Sequence, residues 1–189
     1  MTRNQIIAEL RALAGEDVRA FRGQQMAEWL YAKHAGSLSE MTNLPKELRS
    51  LISSNHVIQS VTPESESTSS DGTKKHLWPA SGGDVYESAL IPERDRLTLC
   101  VSSQAGCRVG CRFCLTARKG LKQSLSPAEI LSQYRNLPDR SAVTHFVFMG
   151  MGEPLDNLEA LLASLDVLTS SWGYGFSPRR ITVSTVGFL

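Results

Sequence analysis

Cys107, Cys111 and Cys114 are spaced C-x3-C-x2-C, with Phe113 directly before the last of them. Three thiols on one loop are a donor set for zinc or for an iron–sulfur cluster. A structural zinc site takes four protein ligands, and neither Cys100, on the preceding predicted strand, nor His145, on a later one, stands at finger-like spacing. A cubane cluster held by only three cysteines leaves one iron open, as a catalytic metal keeps a vacant position for its substrate. An open iron can hold a small chelating ligand. The spacing favours a cluster and leaves zinc as the alternative.

Other residues gather around this loop in the sequence. Arg96, Arg108, Arg112, Arg118, Lys119 and Lys122 are the charged residues of segment 96–128, which holds no carboxylate. The whole chain carries a formal charge of only +1, so any case for an anionic partner is local, and this block is where an anionic ligand or RNA belongs. Gly152 and Glu153 follow a predicted strand ending at Met149, where a backbone able to approach a ligand closely is expected and where α/β folds bind ligands. Cys100 lies on a strand in which Leu97, Leu99 and Val101 alternate with Thr98, Cys100 and Ser102; on these residues alone it reads as a packed core thiol.

The elements that must position these groups follow from periodicity. Helical spacing covers residues 3–14 (Ile6, Ile7, Leu10, Leu13) and 23–34 (Met26, Trp29, Leu30, Tyr31), and a third helix starts at Pro45. These form a helical N-terminal domain, residues 1–59. Residues 60–95 shift to Ser, Thr, Glu and Gly and read as a linker and small β segment, with Asp71-Gly72 as a hairpin-type turn and a short strand from Val85 to Pro92. From 96 to 189 strands and helices alternate: a strand over Leu97–Ser103, a helix from Ser126, a strand over Val143–Met149, a helix from Asn157, and a strand over Arg180–Ser184. Alternation predicts an α/β fold with a parallel sheet, the first part of a partial (βα) barrel. About two and a half βα units are present where a full barrel takes ~250 residues. With the last strand running into Gly187-Phe188-Leu189, the 189 residues are expected to be an N-terminal piece of a longer protein.

Composition excludes several classes. With 41% hydrophobic and 21% charged residues the chain is neither disordered nor low in complexity. No run reaches the roughly 18 apolar residues of a membrane span, and the N-terminus lacks the apolar stretch of a signal peptide. A cytoplasmic location without membrane association is expected. There, four cysteines point to metal binding or catalysis and not to a disulfide framework.

The cysteine loop with its preceding aromatic resembles the radical S-adenosylmethionine (SAM) superfamily. Segments 100–107 (CVSSQAGC) and 149–155 (MGMGEPL) narrow the resemblance to the RlmN/Cfr methyltransferases. Segments 21–31 (FRGQQMAEWLY), 40–45 (EMTNLP), 70–73 (SDGT) and 179–185 (RRITVST) are similar to that family in the same order. The resemblance implies a [4Fe-4S] cluster on Cys107, Cys111 and Cys114, whose open iron binds the amino and carboxylate groups of SAM. An electron then cleaves SAM and releases a 5'-deoxyadenosyl radical. It implies methylation of C2 of an adenosine in large-subunit (23S) ribosomal RNA and in tRNA, with an electron donor such as a flavodoxin-type protein.

By the same resemblance, Gly152 and Glu153 are cofactor-binding residues at the SAM amino group and Ser184 is a further SAM contact. Glu87 is a catalytic residue assisting proton removal from the adenine. Cys100 is the catalytic thiol that resolves a protein–RNA adduct by forming a transient disulfide with a downstream, methyl-carrying cysteine. No cysteine follows Cys114, so the carrier is not among the four, and the 189 residues alone are expected not to methylate RNA. Two alternatives stand beside this expectation: a Cfr-type enzyme acting on C8 of the same adenosine, and a non-catalytic RNA-binding fragment.

Overall fold

The computed structural model describes residues 1–58 and 61–187; the expectation for Phe188 and Leu189 lies outside the described residues. Two compact units are present, Met1–Ser60 with Leu165–Phe176, and Val61–Ser164 with Ser177–Leu189.

The first unit is helical. Helix α1 (Arg3–Ala14) starts with a reciprocal capping box between Thr2 and Gln5, which satisfies two of its orphan N–H groups. Helix α2 (Phe21–Ala27) runs directly into a π-helical turn, Glu28–Ala32, where a single 23–34 helix was expected. Gly23 lets α2 lie on α1: a Cβ there would stand 2.8 Å from Ile7 Cβ. Helix α3 (Lys46–Asn55) follows Pro45, whose missing N–H costs nothing at a helix start. Ala35, Met41 and Leu44 are buried among Met26, Trp29, Leu30, Leu38, Leu48 and Ile58. Segment 165–176 adds Trp172 and Tyr174, whose rings meet Tyr31 at 6.1 and 5.5 Å. Sequence periodicity assigned that segment to the α/β part.

The second unit is built on one six-stranded sheet in the order β1-β2-β3-β4-β7-β8. Strands β1 (Ser65–Thr68), β2 (Lys74–Pro79), β3 (Val85–Glu93) and β4 (Arg96–Cys100) form an antiparallel meander. Strands β7 (His145–Phe148) and β8 (Ile181–Val183) continue it in parallel. Strands β4, β7 and β8 are parallel, as the alternation after residue 96 predicts, and the antiparallel strands before them join the same sheet, which is therefore mixed. Short turns, such as that at Asp71-Gly72, can join only antiparallel neighbours, and the parallel pairs need a crossover. Residues 60–95 are not a separate linker sheet but carry half the strands of the main one. The crossovers are α5 (Pro127–Arg135), with a capping box between Ser126 and Glu129, and α6 (Leu158–Thr169). No described helix is long and apolar enough to cross a membrane.

Alternation divides the sheet into two faces. Trp78, Tyr86, Leu90, Leu99, Phe146 and Phe148 are buried on one, where Tyr134 on α5 meets Phe146 edge-on at 5.2 Å. The register places Leu77 opposite Glu87, Ala89 opposite Cys100, Cys100 opposite Val147, and Val147 opposite Thr182. These residues share the other, more open face, because partners across a ladder point the same way.

Candidate cofactor site

The predicted strand over 97–103 ends at Cys100. Beyond it Val101, Ser102 and Ser103 are buried without being strand. Buried Gln133 of α5 occupies both polar groups of Ser102, accepting from its N–H and donating to its carbonyl, each at 2.9 Å. The Ser102 hydroxyl donates to the Glu87 carbonyl and accepts from the Met151 N–H. Chain direction then changes into β5 (Gln104–Gly106), which pairs with β6 (Leu121–Ser124). Gly106 has φ +82° and stands so near the Gly120 carbonyl that a Cβ would overlap its oxygen. Residues 107–120 are the loop that β5 and β6 bracket, and they carry the cysteines.

All four cysteines are free thiols. The disulfide expected at Cys100 is thus not found among the described residues. Cys107 is buried, with its N–H donating to the Gly120 carbonyl. Burial pushes its thiol up; the Val109 N–H opposes this, while the charges of Cys111, Cys114 and Glu153 add to it. Cys114 immediately precedes the short helix α4 (Leu115–Arg118). Hydrogen bonding from the Ala117 N–H holds its thiol below the ordinary value against slight desolvation, with Thr116 adding to the effect. Cys107 is the thiol on which the other two act.

They are not, however, gathered to coordination distance: among the described residues no three His, Cys, Asp or Glu side chains form a metal-holding group. Here the structure departs from the expectation of convergent thiolates. The chemistry of the set fits an iron–sulfur cluster, since it offers three unpaired thiols on one loop with Cys114 already biased toward the thiolate.

The turn after β7 is more firmly built. Gly152 has φ +102°, and a Cβ on it would stand 2.7 Å from Gln104 Cβ and 2.8 Å from Ser103 Oγ. Its glycine is required by close packing on this chain itself, a reason distinct from the ligand approach expected. Glu153 is 4% exposed; its carboxylate accepts from the Leu155 N–H, the Thr185 hydroxyl and the Val186 N–H. A carboxylate accepts about four hydrogen bonds, so capacity remains on Glu153. Ser184 is exposed, and its N–H donates to the Phe148 carbonyl at 3.3 Å. Glu153 and the segment following Ser184 are thus brought together, although 31 residues separate them in the sequence.

Cys100 and Glu87 lie away from the loop, on the open sheet face. Burial pushes the Cys100 thiol up, opposed by the Met149 N–H. Glu87 is half exposed and paired with Lys75, Oε2 to Nζ at 3.0 Å. All six cations of segment 96–128 are exposed, but Arg108 is neutralised by Asp156, Nε to Oδ2 at 2.8 Å.

Three residues that sequence reasoning did not single out tie the region together. Gln104 is fully buried, donates to Asp156 and Ser124, and accepts from the Glu153 N–H. Asn157 donates to the carbonyls of Ser103 and Leu125. Asp156 receives both Gln104 and Arg108. Gln104 lies inside segment 100–107, but spacing gives a lone amide no signal.

Comparison with known proteins agrees with this architecture. The family model for the ribosomal RNA large subunit methyltransferase N-terminal domain matches residues 4–58, and that for the radical SAM superfamily matches residues 101–189. A probable dual-specificity RNA methyltransferase RlmN of Bacteroides thetaiotaomicron is 48% identical over 167 residues, covering 88% of this chain and 48% of the relative. The dual-specificity RNA methyltransferase RlmN of Geotalea uraniireducens is 43% identical over 188 residues, covering 99% and 55%. The crystal structure of a radical SAM methyltransferase from Sphaerobacter thermophilus superposes with a TM-score of 0.83 at 36% identity, over 100% of this chain and 56% of that one. The chain spans about half the length of the curated relatives it matches. With the two family models matching in order on either side of the antiparallel strands, the chain belongs to the RlmN/Cfr family of the radical SAM superfamily.

Proposed function

We propose that this chain supplies the cluster-binding and SAM-binding part of an enzyme that methylates C2 of an adenosine in 23S ribosomal RNA and in tRNA. The observation that carries the reading is the meeting of the cysteine loop with the turn after β7, where Arg108 pairs with Asp156, Nε to Oδ2 at 2.8 Å. Cys107, Cys111 and Cys114 are the residues that would hold a [4Fe-4S] cluster. That group supplies, when bound with SAM and reduced by a flavodoxin-type donor, the electron for reductive cleavage of SAM.

The chain's own residues do the positioning. Glu153, with acceptor capacity left and Gly152 holding its backbone in place, takes the SAM amino group, and Ser184, the residue after β8, is a further SAM contact. Cys100 keeps its proton in the resting protein because it is buried, and acts as the resolving thiol toward an RNA adduct. Glu87 on the same sheet face accepts a proton from the adenine ring. Arg112, Arg118, Lys119 and Lys122, exposed and close to the loop in sequence, meet RNA phosphates, which position the RNA while unstacked bases give specificity.

Anaerobic reconstitution with iron and sulfide tests the first half of this reading. About four irons and four sulfides per chain are expected, and stoichiometric zinc without sulfide would overturn it. Changing Cys111 or Cys114 to Ala should abolish loading, whereas Cys100→Ala should retain it. All four thiols are assigned, so none is left to carry a methyl group. Mass spectrometry of RNA digested after incubation with the chain, SAM and reductant should show no methyladenosine above a cluster-free control.

A further inference from the structure

We propose that Arg108, Asp156 and Gln104 form a latch that positions the cysteine loop against the turn after β7, making Arg108 and Asp156 positioning residues for the group the loop holds. The inference rests on the cluster reading above for the identity of that group, though its geometry does not.

Asp156 Oδ2 accepts from Arg108 Nε at 2.8 Å and from Gln104 Nε2 at 2.8 Å, and its side chain is 11% exposed. Gln104 has one permitted orientation. Its Nε2 also donates to Ser124 Oγ at 3.2 Å, and its Oε1 accepts the Glu153 N–H at 3.0 Å. Rotating the amide would set its oxygen against the Asp156 carboxylate and its NH2 against an N–H donor, leaving buried groups unsatisfied. Asp156 is therefore held in place before Arg108 reaches it.

Arg108 is the residue after Cys107, so its guanidinium fixes the start of the loop across one peptide. The other side of Cys107 is fixed by β5 and by the N–H bond to Gly120. The turn does not depend on the Arg108–Asp156 pair. Asn157 clips it to Ser103 and Leu125, and Met151 to Ser102. Removing the Asp156 carboxylate should free the loop while leaving the turn seated. An exposed ion pair contributes little to stability, and Arg108 is 57% exposed, so its effect is expected in the placement of the loop and not in unfolding.

The test compares Arg108→Ala, Asp156→Ala and Asp156→Asn with the parent chain after anaerobic reconstitution. Cluster loss to a chelator should be about tenfold faster in both Ala variants, the scale found when the supporting shell of a metal ligand is removed. The thermal midpoint of Arg108→Ala should match the parent's, whereas Asp156→Ala, which also takes an acceptor from buried Gln104, should melt lower while losing cluster no faster than Arg108→Ala. Asp156→Asn should stay near the parent, because its amide oxygen still accepts both donors. Equal loss rates in parent and Ala variants would overturn the latch, as would an Asn variant as fast as the Ala variant, which would assign the effect to charge alone. If the parent takes up no cluster, the cluster reading fails by itself, and the latch is decided on the metal-free chain. There, maleimide modification of Cys107, located by peptide mass spectrometry, should be about tenfold faster in Asp156→Ala; an unchanged rate overturns the latch.

Discussion

The loop after β5 and the turn after β7 meet at the Arg108–Asp156 pair and are built in opposite ways. In the turn, Glu153 and Pro154 are buried, glycine at 150 and 152 allows backbone to lie on backbone, Ser102 and Gln104 accept its N–H groups, and Asn157 ties it to Ser103 and Leu125. In the loop, Phe113 is 92% and Leu115 72% exposed, and the three thiols are ungathered. One region spends its residues on internal satisfaction and holds its geometry alone. The other keeps apolar and nucleophilic groups outward, as a site does when binding energy is to complete it.

The sharpest way to break this contrast is Gly152→Ala. It adds a Cβ within 2.7 Å of Gln104 Cβ at φ +102°, combining left-handed strain with overpacking, and should cost about 3 kcal/mol or more. Urea unfolding measures it, and a loss under about 1 kcal/mol would mean the turn is as yielding as the loop. Gln104→Leu comes next. It leaves the Glu153 N–H and Asp156 without a buried partner and should cost about 2 kcal/mol, read in the same experiment.

A smaller effect comes from the start of α5, where Glu129 closes the capping box and also accepts from the Ser81 N–H. Desolvation of its carboxyl is outweighed by hydrogen bonds from Ser81 and Ser126, and its pKa lies below the ordinary value. A depressed folded-state pKa gives stability that is present above the unfolded pKa and is lost as pH falls through the folded one. Parent stability should therefore drop below the usual carboxylate range, and Glu129→Gln should remove that part of the pH dependence in thermal melts. Smallest of all, Phe113→Ala should alter stability by less than about 0.5 kcal/mol in the chain without a cluster. A larger loss would show the cysteine loop to be packed, and the contrast between the two regions false.

Much of this was legible beforehand. Helix α1 follows the spacing of Ile6 and Leu10, α5 is capped by the expected Ser126, and the turn at Asp71-Gly72 joins β1 to β2, because each rests on contacts within a few residues. The cysteines, Gly152 and Glu153 could be singled out because spacing along the chain is itself their signal. The parallel order of β4, β7 and β8 is legible in the alternation after 96; that the hairpins at 60–95 share its sheet is not, because only the pairing of β3 with β4 across the boundary joins them. The strand ends at Cys100, short of the expected 103, because Ser102 and Ser103, as buried as strand residues, give their backbone polar groups to Gln133, Met151 and Leu125.

From the sequence alone came the chemistry: three thiols at C-x3-C-x2-C, a cation block around them, a glycine turn, and helices before an α/β segment. Residue type and local spacing dictate these without long-range contacts. Only tertiary structure decided that Gly152 serves packing on Gln104, that Glu153 is closed over by Thr185 and Val186, and that Arg108 is held by Asp156 across 48 positions. Each of those pairings depends on where parallel strands and their crossovers bring distant loops together, and no periodicity in a chain encodes the meeting of two loops.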